Sequence, residues 1–274
     1  MPASENVSTA GMPMLGLGTW ENTDHAQCRR SVEQALEMGY RHIDTAQIYR
    51  NERAVGEGIE TASVPREEIF LATKVWMTNL DADAVVESTE ESLARLGTDY
   101  LDLLYVHWPA GEYEPAETLA AFERLHDRGV IDRVGVSNFE PGHLDRAQEQ
   151  LGVPVFANQV EIHPFLPQHE LRTHARTAGV ELVAYSPLAR GELLSNPTLG
   201  AIAERHGASE AQVALAWLRE HGITAIPKAT SLAHIRDNWE SRSLSLDERD
   251  VERIDAIDRR TRRVHPDFAP EAWG

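Results

Sequence analysis

Apolar residues along this chain come in short runs, and each run turns polar at its C-terminal end. The runs are LGLGTW (15–20), HIDTA (42–46), FLATKV (70–75), LDLLYVHW (101–108), RVGVSN (133–138), FANQVE (156–161), LVAYSP (182–187) and TAIPK (224–228). Their length and composition predict buried strands. Between them, apolar positions recur with helical spacing over 25–39, 51–61, 81–96, 116–128, 141–151, 167–178 and 209–221. Gly39, Gly97, Gly129, Gly152, Gly179 and Gly222 end or follow six of these segments. A helix C-cap takes the left-handed conformation that glycine adopts without strain.

Eight strand candidates alternating with helices predict parallel βαβ units. A closed (β/α)8 TIM barrel and an open doubly wound sheet both satisfy that alternation. An open sheet that binds dinucleotide carries G-x-G-x-x-G after its first strand, and LGLGTWEN lacks the third glycine. A barrel instead gathers its reactive groups at the C-terminal ends of its strands. Here Thr19 and Trp20, Asp44, Lys74, His107, Ser137 and Asn138, Gln159, Ser186 and Lys228 close the eight runs in turn. Eight polar ends in register predict a functional rim, and the expectation is a single (β/α)8 barrel domain over residues 1–274.

Composition narrows the partners. The 42% hydrophobic and 26% charged content is that of a globular protein. No run reaches the roughly 18 apolar residues of a membrane span, and MPASENVSTAG lacks the basic start and apolar stretch of a secretory signal. A lone Cys28, read as helix packing, excludes an internal disulfide, and a cytoplasmic location is expected. A net charge of −18 argues against nucleic acid, because RRTRR at 259–263 is the only dense basic block. That block reads as solvated or paired with the acidic surface. Lysine occurs only at positions 74 and 228, against 24 arginines. Acidity without lysine predicts adaptation to a high-salt cytoplasm, where a Debye length of about 3 Å mutes carboxylate repulsion. The histidines are scattered along the chain, so no metal is expected. His42 and His163 read as structural.

Asp44, Lys74 and His107 end three consecutive strand candidates, so in a barrel their side chains can converge. Tyr49 follows Asp44 by five residues, within reach of the barrel mouth. An ammonium beside a phenol is expected to lower the phenol's pKa, and Asp44 can hold Lys74 charged and aimed. His107 can donate a hydrogen bond to a carbonyl oxygen.

These residues closely resemble the aldo-keto reductases, NAD(P)H-dependent carbonyl reductases on a (β/α)8 barrel. The resemblance spans nearly the whole chain: MPMLGLGTW, GYRHIDTAQIYRNE, ATKVW, LDLLYVHWP, VGVSNF, NQVEIHP, AYSPLARG, IPKATS and SLAHIRDNW. It implies an N-terminal β-hairpin closing the barrel bottom. It also implies a tetrad of Asp44, Tyr49, Lys74 and His107, with Tyr49 the general acid for reduction and the base for oxidation. Ser137, Asn138 and Gln159 match the group that binds the nicotinamide carboxamide, and Tyr185 the ring that stacks on it. Thr19 and Trp20 border that cleft. Ser186 and Leu188, with the ARGEL stretch, match the loop over the pyrophosphate. Lys228, Ala229, Thr230, Ser231 and His234 match the stretch at the ribose phosphate, and Asn238 an adenine contact. Many NADPH-preferring relatives carry arginine where this chain has His234 and serine where it has Ala229. Arg236 and Ser231 can compensate, so NADP(H) is favoured, with NAD(H) or dual use open.

Trp20, Trp76, His107 and Trp108 match substrate-pocket positions, with Phe139 a weaker candidate and Trp273 placed to close the pocket. The short loops after LDLLYVHWP and at the C-terminus resemble those of prokaryotic reductases acting on small aldehydes, diketo sugars or dicarbonyls, and the family resemblance implies a monomer. Two other readings stay open: a Schiff-base lyase using Lys74 as nucleophile, and a non-enzymatic, nicotinamide-binding regulatory subunit of membrane channels.

Overall fold

The computed structural model describes residue 8 and residues 10–270. Its strands are β1 (Leu17–Gly18), β2 (His42–Asp44), β3 (Phe70–Val75), β4 (Leu103–Val106), β5 (Val134–Ser137), β6 (Val155–Glu161), β7 (Glu181–Tyr185) and β8 (Thr224–Ala225). They pair parallel in chain order. Parallel bridges Leu15–Ala225 and Gly18–Lys228 bring the eighth strand back against the first. The curled sheet is therefore that of a (β/α)8 barrel. The helices are α1 (His25–Met38), α2 (Glu52–Thr61), α3 (Ala82–Leu96), α4 (Pro115–Asp127), α5 (Pro141–Gln150), α6 (His169–Ala178), α7 (Pro197–His206), α8 (Glu210–Glu220), α9 (Leu232–Glu240) and α10 (Glu248–Asp255).

Strand parity divides the apolar residues into two cores. In β3, Leu71 and Val75 join the layer between sheet and helices, while Phe70 and Ala72 face the barrel interior with Leu103, Tyr105 and Val183. Lys74 continues the inward face two residues on, because side chains alternate with period two. Gly135 makes room beneath it: a Cβ there would lie 2.6 Å from Cδ1 of Tyr105. The interior is thus filled below the polar rim, and the reactive groups sit on a packed floor.

At the base, the Ser8 N–H donates to the Met12 carbonyl at 2.7 Å, and the turn puts the fully buried Met12 into the interior core. The first arm of the expected hairpin falls mostly on residues outside those described.

Two expectations need correction. Gly152 does not take the left-handed conformation; Leu151 caps α5 in an extended geometry. Gly152 is instead pressed against Glu123, whose Oε1 would lie 2.3 Å from an added Cβ. The connection from β7 to β8 carries two helices, because Asn196 caps α7 by accepting from the Thr198 and Leu199 amides and Gly207 ends it at φ 62°.

Gly56 on α2 faces the Leu96 carbonyl oxygen, which would lie 2.3 Å from an added Cβ. Gly56→Ala gains roughly 1 kcal/mol of helix propensity, but overpacking against a rigid backbone costs about 1–3 kcal/mol or more. The expected result is a lower urea midpoint at unchanged m-value; a raised midpoint would contradict the packing account.

Candidate active site

The ends of β2, β3 and β4 converge as the register requires. Lys74 Nζ lies 2.5 Å from Asp44 Oδ1 and also donates to the Thr45 carbonyl at 2.8 Å. Asp44 Oδ2 accepts from Gln159 Nε2, across the barrel on β6, at 2.7 Å. Lys74 and Asp44 are each 1% exposed, so this is a buried ion pair. Desolvation makes such a pair costly unless the remaining lone pairs and protons find partners, and here Thr45 and Gln159 supply them.

The turn after β2 delivers Tyr49. Residues Gln47–Tyr49 form one 3-10 turn closed by Arg50 in the left-handed region. Gln47 Oε1 accepts from the Trp76 amide at 3.0 Å and from Asn79 Nδ2 at 3.1 Å. Asn51 Nδ2 donates to the Thr19 carbonyl at 2.8 Å, and its Oδ1 accepts from Thr45 Oγ1 at 2.8 Å. The turn is thereby tied to the loops after β1 and β3. Lys74 Nζ stands 5.2 Å from the centroid of the Tyr49 ring, and the Tyr49 and His107 rings meet edge to face at 5.9 Å. The Tyr49 hydroxyl has no partner among the described residues.

The electrostatics depart from expectation in one respect. Tyr49 is pushed well above its ordinary pKa, first by burial and then by the Asp44 charge. Lys74 is pulled down from 10.5 by burial, which outweighs the support of Asp44 and Glu52. An ammonium held 2.5 Å from a carboxylate presents little net positive field to the phenol, so burial decides. His107 falls well below 6.5, through burial and then the Lys74 charge, and is a neutral imidazole. Its Nδ1 is sealed without a partner, which leaves Nε2 as the nitrogen that can serve the cavity.

Tyr49, Trp76, His107 and Trp108 line a cavity of about 570 Å³, together with Trp20, Ser137, Asn138, Gln159, Tyr185, Ser186, Leu188 and Lys228. The polar members form a chain: Tyr185 OH donates to Asn138 Oδ1 at 2.9 Å, Asn138 Nδ2 to the His107 carbonyl at 3.0 Å, and Ser137 Oγ to the Gln159 carbonyl at 2.8 Å. Asn138 and Ser186 hold left-handed backbones at φ 64° and 45°. Across Ala189–Ser195 run 3-10 turns broken at Arg190 and Gly191, and the Arg190 guanidinium stacks 4.5 Å over the Trp20 ring. Lys228 is exposed, and among the described residues it has no ion pair. Ala229 is buried, Ser231 caps α9 by accepting from the His234 amide, His234 and Arg236 are exposed, and Asn238 is 4% exposed. Amide and hydroxyl groups, aromatic rings and the Lys228 cation thus line one cavity, a set that could hold a planar, amide-bearing and phosphorylated ligand.

Phe139 is fully buried against Tyr113 and His143 and is no part of this cavity. Trp273 lies outside the described residues. Phe268 lines the pocket, edge-on to Trp76 at 5.9 Å and to Trp108 at 5.3 Å. Gln47, Asn51 and Phe268 carry roles that the motifs alone did not reveal, although AQIYRNE holds the first two. The RRTRR block is paired: Arg259 and Arg263 both bind Glu192.

A phenol, a buried ion pair and a neutral imidazole meet on the C-terminal face of a barrel, the face on which enzymes of this fold carry their active sites. The Aldo/keto reductase family model matches residues 14–259. The chain is 42% identical to an aldo-keto reductase of Mycolicibacterium smegmatis over 93% of each chain. It is 41% identical to the glyoxal reductase of Bacillus subtilis, over 93% of this chain and 92% of that one. A putative 2,5-diketo-D-gluconic acid reductase B superposes with a TM-score of 0.93 at 36% identity, over 99% of this chain and 96% of that one. The chain belongs to the aldo/keto reductase family, whose members are oxidoreductases using nicotinamide cofactors.

His42 and His107 are both buried and both pushed below 6.5. Below that pH the unfolded chain binds protons that the folded chain refuses, so stability falls as pH falls, by up to about 1.4 kcal/mol per unit for each histidine. In urea unfolding across the acid limb, His107→Asn is expected to flatten this slope; identical slopes would refute a neutral His107.

Proposed function

We propose that this protein is an NAD(P)H-dependent reductase of small aldehydes and α-dicarbonyl compounds, with Tyr49 as the general acid. The convergence of Tyr49 and His107 on one cavity, with the buried Lys74 ammonium 5.2 Å from the Tyr49 ring centroid, carries the reading. Its vicinal-dicarbonyl emphasis rests on similarity to a glyoxal reductase. Ser137, Asn138, Gln159 and Tyr185 would hold the nicotinamide end, Ser186 and Leu188 the middle, and Lys228 with the start of α9 the far phosphate. Bound there, the reduced cofactor supplies a hydride.

The protein's own residues then do three things. Trp20, Trp76, Trp108 and Phe268 exclude water from the carbonyl compound. His107 donates from Nε2 to the carbonyl oxygen and orients it. Tyr49 gives its proton to that oxygen as negative charge develops there. A raised phenol pKa does not obstruct this step, because an alkoxide is about as basic as hydroxide and far more basic than a phenolate. It does keep the phenol protonated, and so able to donate, at neutral pH. Lys74 holds the local charge balance and is not a Schiff-base nucleophile, since its ammonium is sealed against Asp44 and Thr45.

NADP(H) is the preferred cofactor in this reading, with discrimination weakened because His234 and Ala229 offer no bidentate donor to a 2′-phosphate. The protein acts as a monomer in the cytoplasm. Its net charge of −18 and scarcity of lysine fit a salt-rich one.

One assay tests these points together, following nicotinamide absorbance with methylglyoxal as substrate. Tyr49→Phe is expected to lose at least about 10²-fold in turnover while binding cofactor as the wild type does; retained turnover would remove Tyr49 from its role. NADPH is expected to outperform NADH in kcat/KM, and equal values would defeat the preference. Activity and folding should rise from dilute buffer to molar salt, and full stability in dilute buffer would end the halophilic reading.

A further inference from the structure

Past α10 the chain has neither helix nor strand from residue 257 to residue 270, yet Phe268 reaches a defined seat between Trp76 and Trp108. Something must fix this segment's path. The Thr261 N–H donates to the Phe165 carbonyl at 2.9 Å, and at the surface Arg259 and Arg263 bind Glu192, whose side chain is 39% exposed; exposed ion pairs hold little. The inner anchor differs in kind. Glu161, the last residue of β6, is 0% exposed. Its Oε1 accepts from the Arg263 backbone N–H at 2.7 Å and from His163 Nε2 at 2.9 Å, and its Oε2 accepts from the Val264 N–H at 2.9 Å.

A carboxylate shut away from water needs its hydrogen bonds. Of the three donors, two are main-chain groups of the C-terminal segment, so releasing the segment would strip the buried charge of most of its partners. Burial raises the Glu161 pKa, but the His163 and backbone donors outweigh it and hold the group ionised. Because the contacts go to backbone N–H groups, they fix register whatever the side chains are. Val264 and Pro266 line the cavity as the segment leaves this clamp, and Phe268 follows two residues later.

We propose that Glu161 is a positioning residue that seats the C-terminal segment, and through Phe268 sets the width of the pocket and so which carbonyl compounds reach Tyr49. The selectivity half of this rests on the carbonyl-reductase reading above; the seating half does not. With Phe268 so seated, wild type is expected to favour small aliphatic dicarbonyls over aryl ones.

Hydrogen exchange and selectivity test the two halves separately. In Glu161→Gln, which loses the charge and one acceptor, exchange of the amides in 261–268 is expected to quicken about tenfold or more, as for loss of a charge-assisted hydrogen bond, while β3 and β4 stay protected. Val264→Pro, which removes one donor from the segment side and leaves Glu161 in place, should do the same and covers the case in which Glu161→Gln does not fold. Unchanged exchange in a folded variant, or quickening equal to that of β3 and β4, would overturn the proposal. The kcat/KM ratio for methylglyoxal over phenylglyoxal should fall in both variants and in Phe268→Ala, with no further fall when Glu161→Gln and Phe268→Ala are combined. An unaltered ratio in variants with loosened segments, or additive falls, would also overturn it. A wild type that reduces neither compound would defeat the functional reading, and the exchange result would still decide whether Glu161 seats the segment.

Discussion

The mouth of this barrel is organised around one interaction, the ion pair between Lys74 and Asp44. Both partners lie out of water, so each is tolerable only in the presence of the other. The pair also sets what its neighbours do. Asp44 draws Gln159 across the barrel, and Lys74 takes the Thr45 carbonyl at the start of the turn that delivers Tyr49. The Lys74 charge helps to keep His107 neutral. Lysine suits the position because its single ammonium fits between a carboxylate, a carbonyl and two aromatic faces, those of Tyr49 and Tyr105. The broad fork of arginine would need more room and more acceptors.

Much of this was readable in the chain. The β3 run FLATKV coincides with Phe70–Val75, because a short, mostly apolar stretch with a single charged residue next to its end has few other uses in a packed protein. The rim followed by the same logic: a parallel strand becomes polar where it leaves the core. The outer strands were shorter than their runs. β1 keeps only Leu17–Gly18 and β8 only Thr224–Ala225. There the closure is completed by isolated bridges around Gly16, Gly18 and Pro227, where proline lacks a ladder donor.

What escaped the sequence depended on three-dimensional neighbours. The sign of the Tyr49 shift could not be taken from a nearby ammonium alone, since the carboxylate that holds the ammonium cancels most of its field and burial decides. Phe139 follows a strand end in the VGVSNF motif but turns outward into the helical layer. Phe268 lies in a stretch without periodicity, so its place depends on Glu161, more than 100 residues earlier. The α7 helix carried its own signals in Asn196, Pro197 and Gly207, but a simple strand–helix alternation has no need of it.

The central claim is that Asp44 and Lys74 depend on each other. A double-mutant cycle on folding stability, with Asp44→Asn, Lys74→Met and the combined variant, measures this directly. Each single change should cost about 3–5 kcal/mol, because it strands a buried polar or charged partner, and the double variant should cost less than the sum by well over 1 kcal/mol. Additive costs would contradict the account.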